Sequence, residues 1–354
     1  MPEEIGNQAP LETVPKKKSK WVIVLIIIVL LLAGAVFAFG AINKKAPAVS
    51  DEVSTSETPS ATTVSDESDE PIYDKQQYSW STKTEGPYND KVSYATSTDL
   101  LTWKDSGVTL AEHASVPDVV YKDGVLYSYF VDVSTDGYAE KVGLIKSTDN
   151  GKTWTGREFV KIKGLGQKAA VDPAPYLLED GRIRLFYLDL AEMRKPESKG
   201  KMIKNKIYSA ISSDGINFVE EDGVRLEYEG VFDPCVIKVS GNLWRMYVGN
   251  QDGQKVLTAT STDGLSFTYE GVAHSGSAIP NVIFENNTYY LFTGGIEIAT
   301  SKDGKTFTKT TNRFSLRDKV TADPGVVKLG ENNFLMVYKT KEMKTATPQP
   351  RQNP

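Results

Sequence analysis

The chain has 354 residues, 40% hydrophobic and 25% charged, with a net charge of −5. That composition excludes wholesale disorder and allows a buried core, and a single cysteine, Cys235, excludes an internal disulfide. Residues 73–354 carry 35 basic and 36 acidic residues, a balance that offers nothing to nucleic acid.

Residues 1–20 are polar and end in Lys16, Lys17, Lys18 and Lys20. Residues 21–40 are uncharged and mostly apolar. At ~1.5 Å per residue they match a ~30 Å hydrocarbon core, which predicts one transmembrane signal anchor. A cleaved signal peptide has a shorter apolar region, about 7–15 residues. Four lysines precede the segment and two, Lys44 and Lys45, follow it. The positive-inside rule then places the N-terminus in the cytoplasm and the rest outside the cell membrane. Residues 41–72 are a Ser/Thr/acidic linker with seven acids and no base after position 45. It cannot bury enough apolar surface to order itself. Residues 341–354 read as a flexible polar tail.

Between linker and tail, over 73–340, two half-motifs alternate five times. The first is an apolar strand, a turn with Gly or Asn and an aromatic-rich strand: 116–132, 171–189, 232–250, 279–295 and 322–340. The second is a Ser-x-Asp turn ending in an aromatic: 97–103, 147–154, 212–218, 261–267 and 301–307. Two strands plus two strands make one propeller blade, so five copies predict an all-β, five-bladed β-propeller. The chain enters on the second half-motif and leaves on the first. Both ends should therefore complete one blade and remove an open sheet edge.

STDNGKTW (147–154) resembles the Asp-box of sialidase-type propellers, a structural motif. The full unit resembles the five-bladed group of glycoside hydrolase families 43, 32 and 68, over roughly 91–340. VPDVVYKDGVLYSYF is similar to that group's second-blade Ala-Pro-Asp strand. AVDPAPYLLEDGRIRLFY is similar to its third-blade Ile-Asp-Pro strand. The resemblance implies a base or nucleophile Asp in blade one, an orienting Asp in blade three and an acid Glu in blade four. By ring position these fall on Asp323, Asp172 and Asp233. The chain departs from the group in having Asp at the acid position and in drawing its base from the C-terminal end.

The residues carry their own argument. Pro at a strand start loses no ladder donor, and the neighbouring acid is then aimed at the channel. Asp118, Asp172, Asp233, Asn281 and Asp323 read as five equivalent positions. Converging carboxylates raise one another's pKa, and glycosidic cleavage needs one carboxylic acid and one carboxylate. The expectation is a glycosidase with Asp172, Asp233 and Asp323 catalytic. Asp118, Asn281, His113 and His274 are expected to contact a carbohydrate substrate. No metal spacing or cofactor motif is present. The alternative is a non-catalytic propeller that binds glycan or protein, in which the recurring Asp only caps turns. The basic connection 190–206 is expected to overhang the channel mouth, and Cys235 to be a small buried residue.

Overall fold

The computed structural model describes residues 82–83, 86–137, 139–195, 198 and 200–343. The anchor segment 21–40, the linker 41–72 and the tail from 344 lie outside them. Among the described residues no helix is long and apolar enough to cross a membrane.

Strands β1 (Lys91–Ser97) and β2 (Lys104–Glu112) open the chain's ordered path. Blade two follows as β3 (Ala114–Lys122), β4 (Val125–Asp132), β5 (Lys141–Ser147) and β6 (Glu158–Phe159). Blade three contains β7 (Lys161–Lys163), β8 (Ala170–Leu177), β9 (Ile183–Asp189), β10 (Lys204–Ser212), β11 (Asn217–Glu220) and β12 (Leu226–Glu229). Its β7 crosses over from blade two and pairs parallel with β11. Blade four is β13 (Val231–Ser240), β14 (Leu243–Asn250), β15 (Lys255–Ser261) and β16 (Thr268–Ser275). Blade five is β17 (Asn281–Glu285), β18 (Thr288–Phe292), β19 (Glu297–Ser301) and β20 (Thr308–Arg313). Last come β21 (Lys319–Gly330) and β22 (Asn333–Glu342), which join β1 and β2 in the order β2-β1-β22-β21. Seven residue pairs, from Lys91↔Thr340 to Ser97↔Phe334, zip the two ends together. The ring is closed as the phase of the repeat predicted.

The sequence repeat is also the inter-blade joint. In each Asp-box the serine hydroxyl accepts a backbone N–H, as Ser261 does from Gly264 at 2.9 Å. The aspartate accepts two more, Asp263 from Leu265 at 2.8 Å and Ser266 at 3.0 Å. These turns hold their acid well below the ordinary range, Asp263 at about 2, chiefly through the Leu265 N–H. The closing aromatic packs edge-on against the previous blade: Trp103 on Phe292, Phe218 on Tyr129, Phe267 on Phe186 and Phe307 on Tyr247. Trp154 meets Tyr94 at 6.0 Å in a tilted pair. Gly304 shows why the turn needs glycine. Its φ is +68°, and a Cβ there would lie 2.9 Å from the Tyr247 hydroxyl oxygen, which donates to the Gly304 carbonyl at 2.8 Å.

The inner strands β3, β8, β13, β17 and β21 line the axis, and their neighbours β4, β9, β14, β18 and β22 form the core. All seven residues of β9 are buried. The inner strands start on one face of the ring, here the entry face; the Asp-box turns lie on the other. Near the axis the blades approach closely. A Cβ on Gly325 would lie 2.5 Å from the Cα of Asp118 and 2.6 Å from its Oδ1. Backbone cannot yield there, so Gly325→Ala is expected to cost at least the ~1–3 kcal/mol of a typical overpacked site. Gly330→Ala, with nothing within 4 Å of the added Cβ, is the control. Urea denaturation midpoints of the two variants measure the difference.

Candidate active site on the propeller axis

Five residues that precede a proline sit in the left-handed region: Val116 (φ 49°), Asp172 (53°), Asp233 (44°), Ile279 (62°) and Asp323 (49°). A residue before proline normally adopts extended backbone, and αL is unfavourable for non-glycine residues. The register explains the conformation. Asp172 and Pro173 lie between the pairs Val171↔Leu188 and Ala174↔Phe186, so two residues oppose Tyr187 alone. Asp233–Pro234 oppose Val248, Asp323–Pro324 oppose Tyr338, and Val116–Pro117 oppose Phe130 in the same way. Each is a β-bulge, which re-aims a side chain, and proline's missing N–H falls where the ladder is already interrupted.

The bulges correct the expected equivalence of Asp118, Asp172, Asp233, Asn281 and Asp323. The pre-proline layer reads Asp323, Val116, Asp172, Asp233, Ile279 from blade one to blade five. Asp118 and Asn281 belong to a second layer, two residues further along their strands. The acidic positions of the first layer are thus confined to blades one, three and four. All these residues line one axial cavity of about 20 Å³, room for about one water molecule.

Within the first layer the acids differ in surroundings. Asp323 is 3% exposed, and its Oδ2 lies 2.7 Å from Lys339 Nζ. Ser115 Oγ lies 3.4 Å from the same oxygen. Asp323 Oδ1 is buried with no hydrogen-bond partner among the described residues. Burial pushes the Lys339 ammonium down, but Asp323 and then Asp90 outweigh it and hold the pKa above its ordinary value. Asp90, just before β1, is 2% exposed and accepts the Ser115 hydroxyl at 3.0 Å; burial raises its pKa. Asp172 accepts the backbone N–H of Asp233 at 3.2 Å. Burial lifts Asp172 to about 6, opposed by hydrogen bonds from Asp233. Asp233 is held well above the carboxylate range by burial and then by the charges of Asp172 and Asp323. The layer thus sets Asp323, paired with Lys339, beside two acids whose pKa values are both raised, Asp172 to about 6 and Asp233 well above the carboxylate range. Environments that separate titrating groups in this way mark candidate acid and base roles.

The second layer closes the channel beneath. Asn281 Nδ2 donates to Asp118 Oδ1 at 3.2 Å, and Val119 N–H donates to the same oxygen at 2.8 Å. The Val326 N–H reaches Asn281 Oδ1 at 3.0 Å. Cys235 is buried beside them and accepts the Val282 N–H at 3.2 Å. Burial carries Asp118 to about 8.

The histidines lie elsewhere. His113 has φ 54°, and its Nδ1 donates to the Tyr88 carbonyl at 2.7 Å, fixing the segment Gly86–Asn89 against blade two. His274, expected to contact substrate, lies in β16, the outermost strand of its blade, opposite Val256. In the basic connection Arg194 pairs with Glu140, and Lys195 with Glu192. Above Asp172 the entry face holds a pocket of about 270 Å³ lined by Glu140, Asp172, Leu190, Met193, Phe232 and their neighbours. Sequence reasoning missed Lys339, Asp90, Ser115 and Glu140. Lys339 alone left a trace, a charge inside the apolar run FLMVYKT.

No protein-family model matches the chain. A 1,2-β-oligomannan phosphorylase of Thermoanaerobacter sp. (strain X514) is 31% identical over 123 residues, 32% of this chain. The chain spans 40% of the length of that curated relative. An endo-1,4-β-xylanase structure from Bacteroides thetaiotaomicron aligns with TM-score 0.50 and 19% identity, over 62% of this chain and 82% of that one. A thermostable family-43 glycoside hydrolase aligns with TM-score 0.48 and 12% identity, over 68% and 96%. The chain has a glycoside-hydrolase-type propeller fold. The likeness to the xylanase is one of fold.

Two measurements test the electrostatics. Lys339→Met leaves Asp323 buried without its countercharge. It should cost about 3 kcal/mol, the low end for a broken buried pair because Lys339 keeps some exposure; Asp323→Asn added to it should recover part of the loss. For Asp118 the folded pKa of about 8 lies above the ordinary 3.8, so folding holds a proton that the unfolded chain releases. The native chain then loses stability as pH climbs from about 4 to about 8. The melting-temperature advantage of Asp118→Asn should grow over that interval and level off above it; a constant difference would contradict the shift.

Proposed function

We propose that the protein is a glycoside hydrolase in which Asp233 is the general acid, Asp323 the base and Asp172 the residue that orients and tunes the acid. The observation that carries this reading is the first layer itself. Acids stand in blades one, three and four, while Val116 and Ile279 take the other two positions. A merely structural Asp would recur in every blade. In the proposed step the Asp233 carboxylic acid gives its proton to the glycosidic oxygen as the bond to the anomeric carbon breaks. Water adds to that carbon and loses a proton to Asp323, whose Oδ1 has no protein partner among the described residues. General acid–base transfer of this kind contributes about 10²–10⁴-fold.

The resemblance to families 43, 32 and 68 suggests a furanoside or related glycan, and the curated relative is named for a 1,2-β-oligomannan. Residues 21–40 support an anchored, extracytoplasmic enzyme acting on glycan at the cell surface. Protease added to intact cells should then remove the propeller; protection would refute that orientation.

Release of reducing sugar from a panel of furanosides, xylosides and mannosides tests the activity. Asp233→Asn should lower kcat/KM by about 10²–10⁴-fold. Asp172→Asn removes a negative charge that raises the Asp233 pKa, so the alkaline limb of the pH profile should move to lower pH. An unmoved limb would remove Asp172 from its tuning role. Binding without turnover across the panel would establish the glycan-binding alternative instead.

A further inference from the structure

The entry-face pocket above Asp172 is unlike a sugar subsite. Its walls are Val131, Leu188, Leu190, Met193 and Phe232, with Pro87 at one side. Its polar groups are few and mostly engaged. Ser115 Oγ lies between two carboxylate oxygens, 3.0 Å from Asp90 and 3.4 Å from Asp323, and gives its one proton to them. Glu140 is paired with Arg194. Gln251 is exposed at the rim, and Asp172 forms part of the floor. A sugar ring placed here would lose water from several hydroxyls and find few partners, which is unfavourable for polar groups. An apolar group would lose nothing and would cover the apolar wall.

Its position gives the pocket a role. Asp172 lines both this pocket and the axial cavity, and it accepts the backbone N–H of Asp233. Phe232, which lines the pocket, is the residue before Asp233. The pocket therefore adjoins Asp172, the carboxylate that accepts the backbone N–H of the proposed acid Asp233. We propose that it receives an apolar leaving group, so that the substrate is an alkyl or aryl glycoside and not an oligosaccharide. This rests on the hydrolase reading above. The sugar would sit over Asp172, where the pocket meets the axial cavity, and the hydrocarbon against the apolar wall; hydrolysis would release the free sugar and an apolar alcohol.

The test uses the full chain and pairs of glycosides with the same sugar (mannose, xylose or arabinofuranose) and either a methyl or an n-hexyl aglycone. Both alcohols are similar leaving groups, so a difference in KM reports the pocket. For whichever sugar is turned over, the hexyl glycoside should have a KM on the order of 10- to 100-fold below the methyl one. Leu190→Gln and Met193→Gln should bring that ratio toward one. A ratio near one in the native chain overturns the proposal, as does a disaccharide of the same sugar with a KM below the hexyl glycoside. If no glycoside is turned over, the hydrolase reading fails separately, and calorimetry with n-hexanol decides the pocket. Binding that Leu190→Gln weakens supports an apolar occupant; no binding, or binding that Leu190→Gln leaves unchanged, overturns it.

Discussion

Everything at the centre of this protein depends on five residues held in left-handed backbone immediately before a proline. Such a conformation is unfavourable twice over, for a residue with a side chain and for one that precedes proline. At four of the five it persists because the flanking ladder on both sides of a bulge determines it. Tyr187, Val248, Tyr338 and Phe130, the residues opposite those four bulges, are all essentially buried, so the partner strand cannot shift to relieve the strain. The bulge brings Asp172, Asp233 and Asp323 to the lining of one cavity.

Once acids are gathered on an axis with room for about one water molecule, their charges must be managed. Three like charges in that space would repel and be poorly solvated. The protein meets this in different ways at different positions. Lys339 neutralises Asp323 through an ion pair, and burial beside Asp172 pushes the Asp233 pKa well up. Below them Asp118 keeps its proton up to about pH 8 and is braced by Asn281 and the Val119 N–H. The arrangement that makes burial tolerable also produces an acid next to a carboxylate, the combination that glycosidic cleavage requires. A glycoside hydrolase reading grows from the same electrostatics that allow the core to close.

Ring closure supplies the rigidity that this needs. Each Asp-box aromatic packs on the preceding blade, and the β1–β22 pairing joins the two ends of the propeller. Lys339 lies on β22, the strand zipped to β1, and Asp90 lies just before β1. The ion pair at Asp323 is thus built where the two ends of the fold meet, so closure of the ring and neutralisation of its acid are one event.

Much of this was legible in the residues. Five copies of two half-motifs determined the number of blades, and their phase determined the closing blade, because each half-motif is a local hairpin or turn set by glycine, aspartate and alternating apolar residues. The Asp-Pro pairs marked which strands line the axis. What the sequence could not separate was the layer to which each acid belongs. Asp118 follows its proline while Asp172, Asp233 and Asp323 precede theirs, and only the bulge turns that offset into two levels of the channel. His274 read as a substrate contact, but cross-strand pairing extends β16 through it. Asp90 and Glu140 carried no local pattern, and Lys339 only a charge inside an apolar run, since a charge partner is chosen by distance across blades and not by spacing along the chain. The sequence by itself determined the propeller and the stock of acids, since both follow from short-range periodicity; tertiary structure alone decided which acid is paired, which is protonated and which faces the pocket, because those depend on burial and on contacts between residues more than 200 positions apart, as between Ser115 and Asp323.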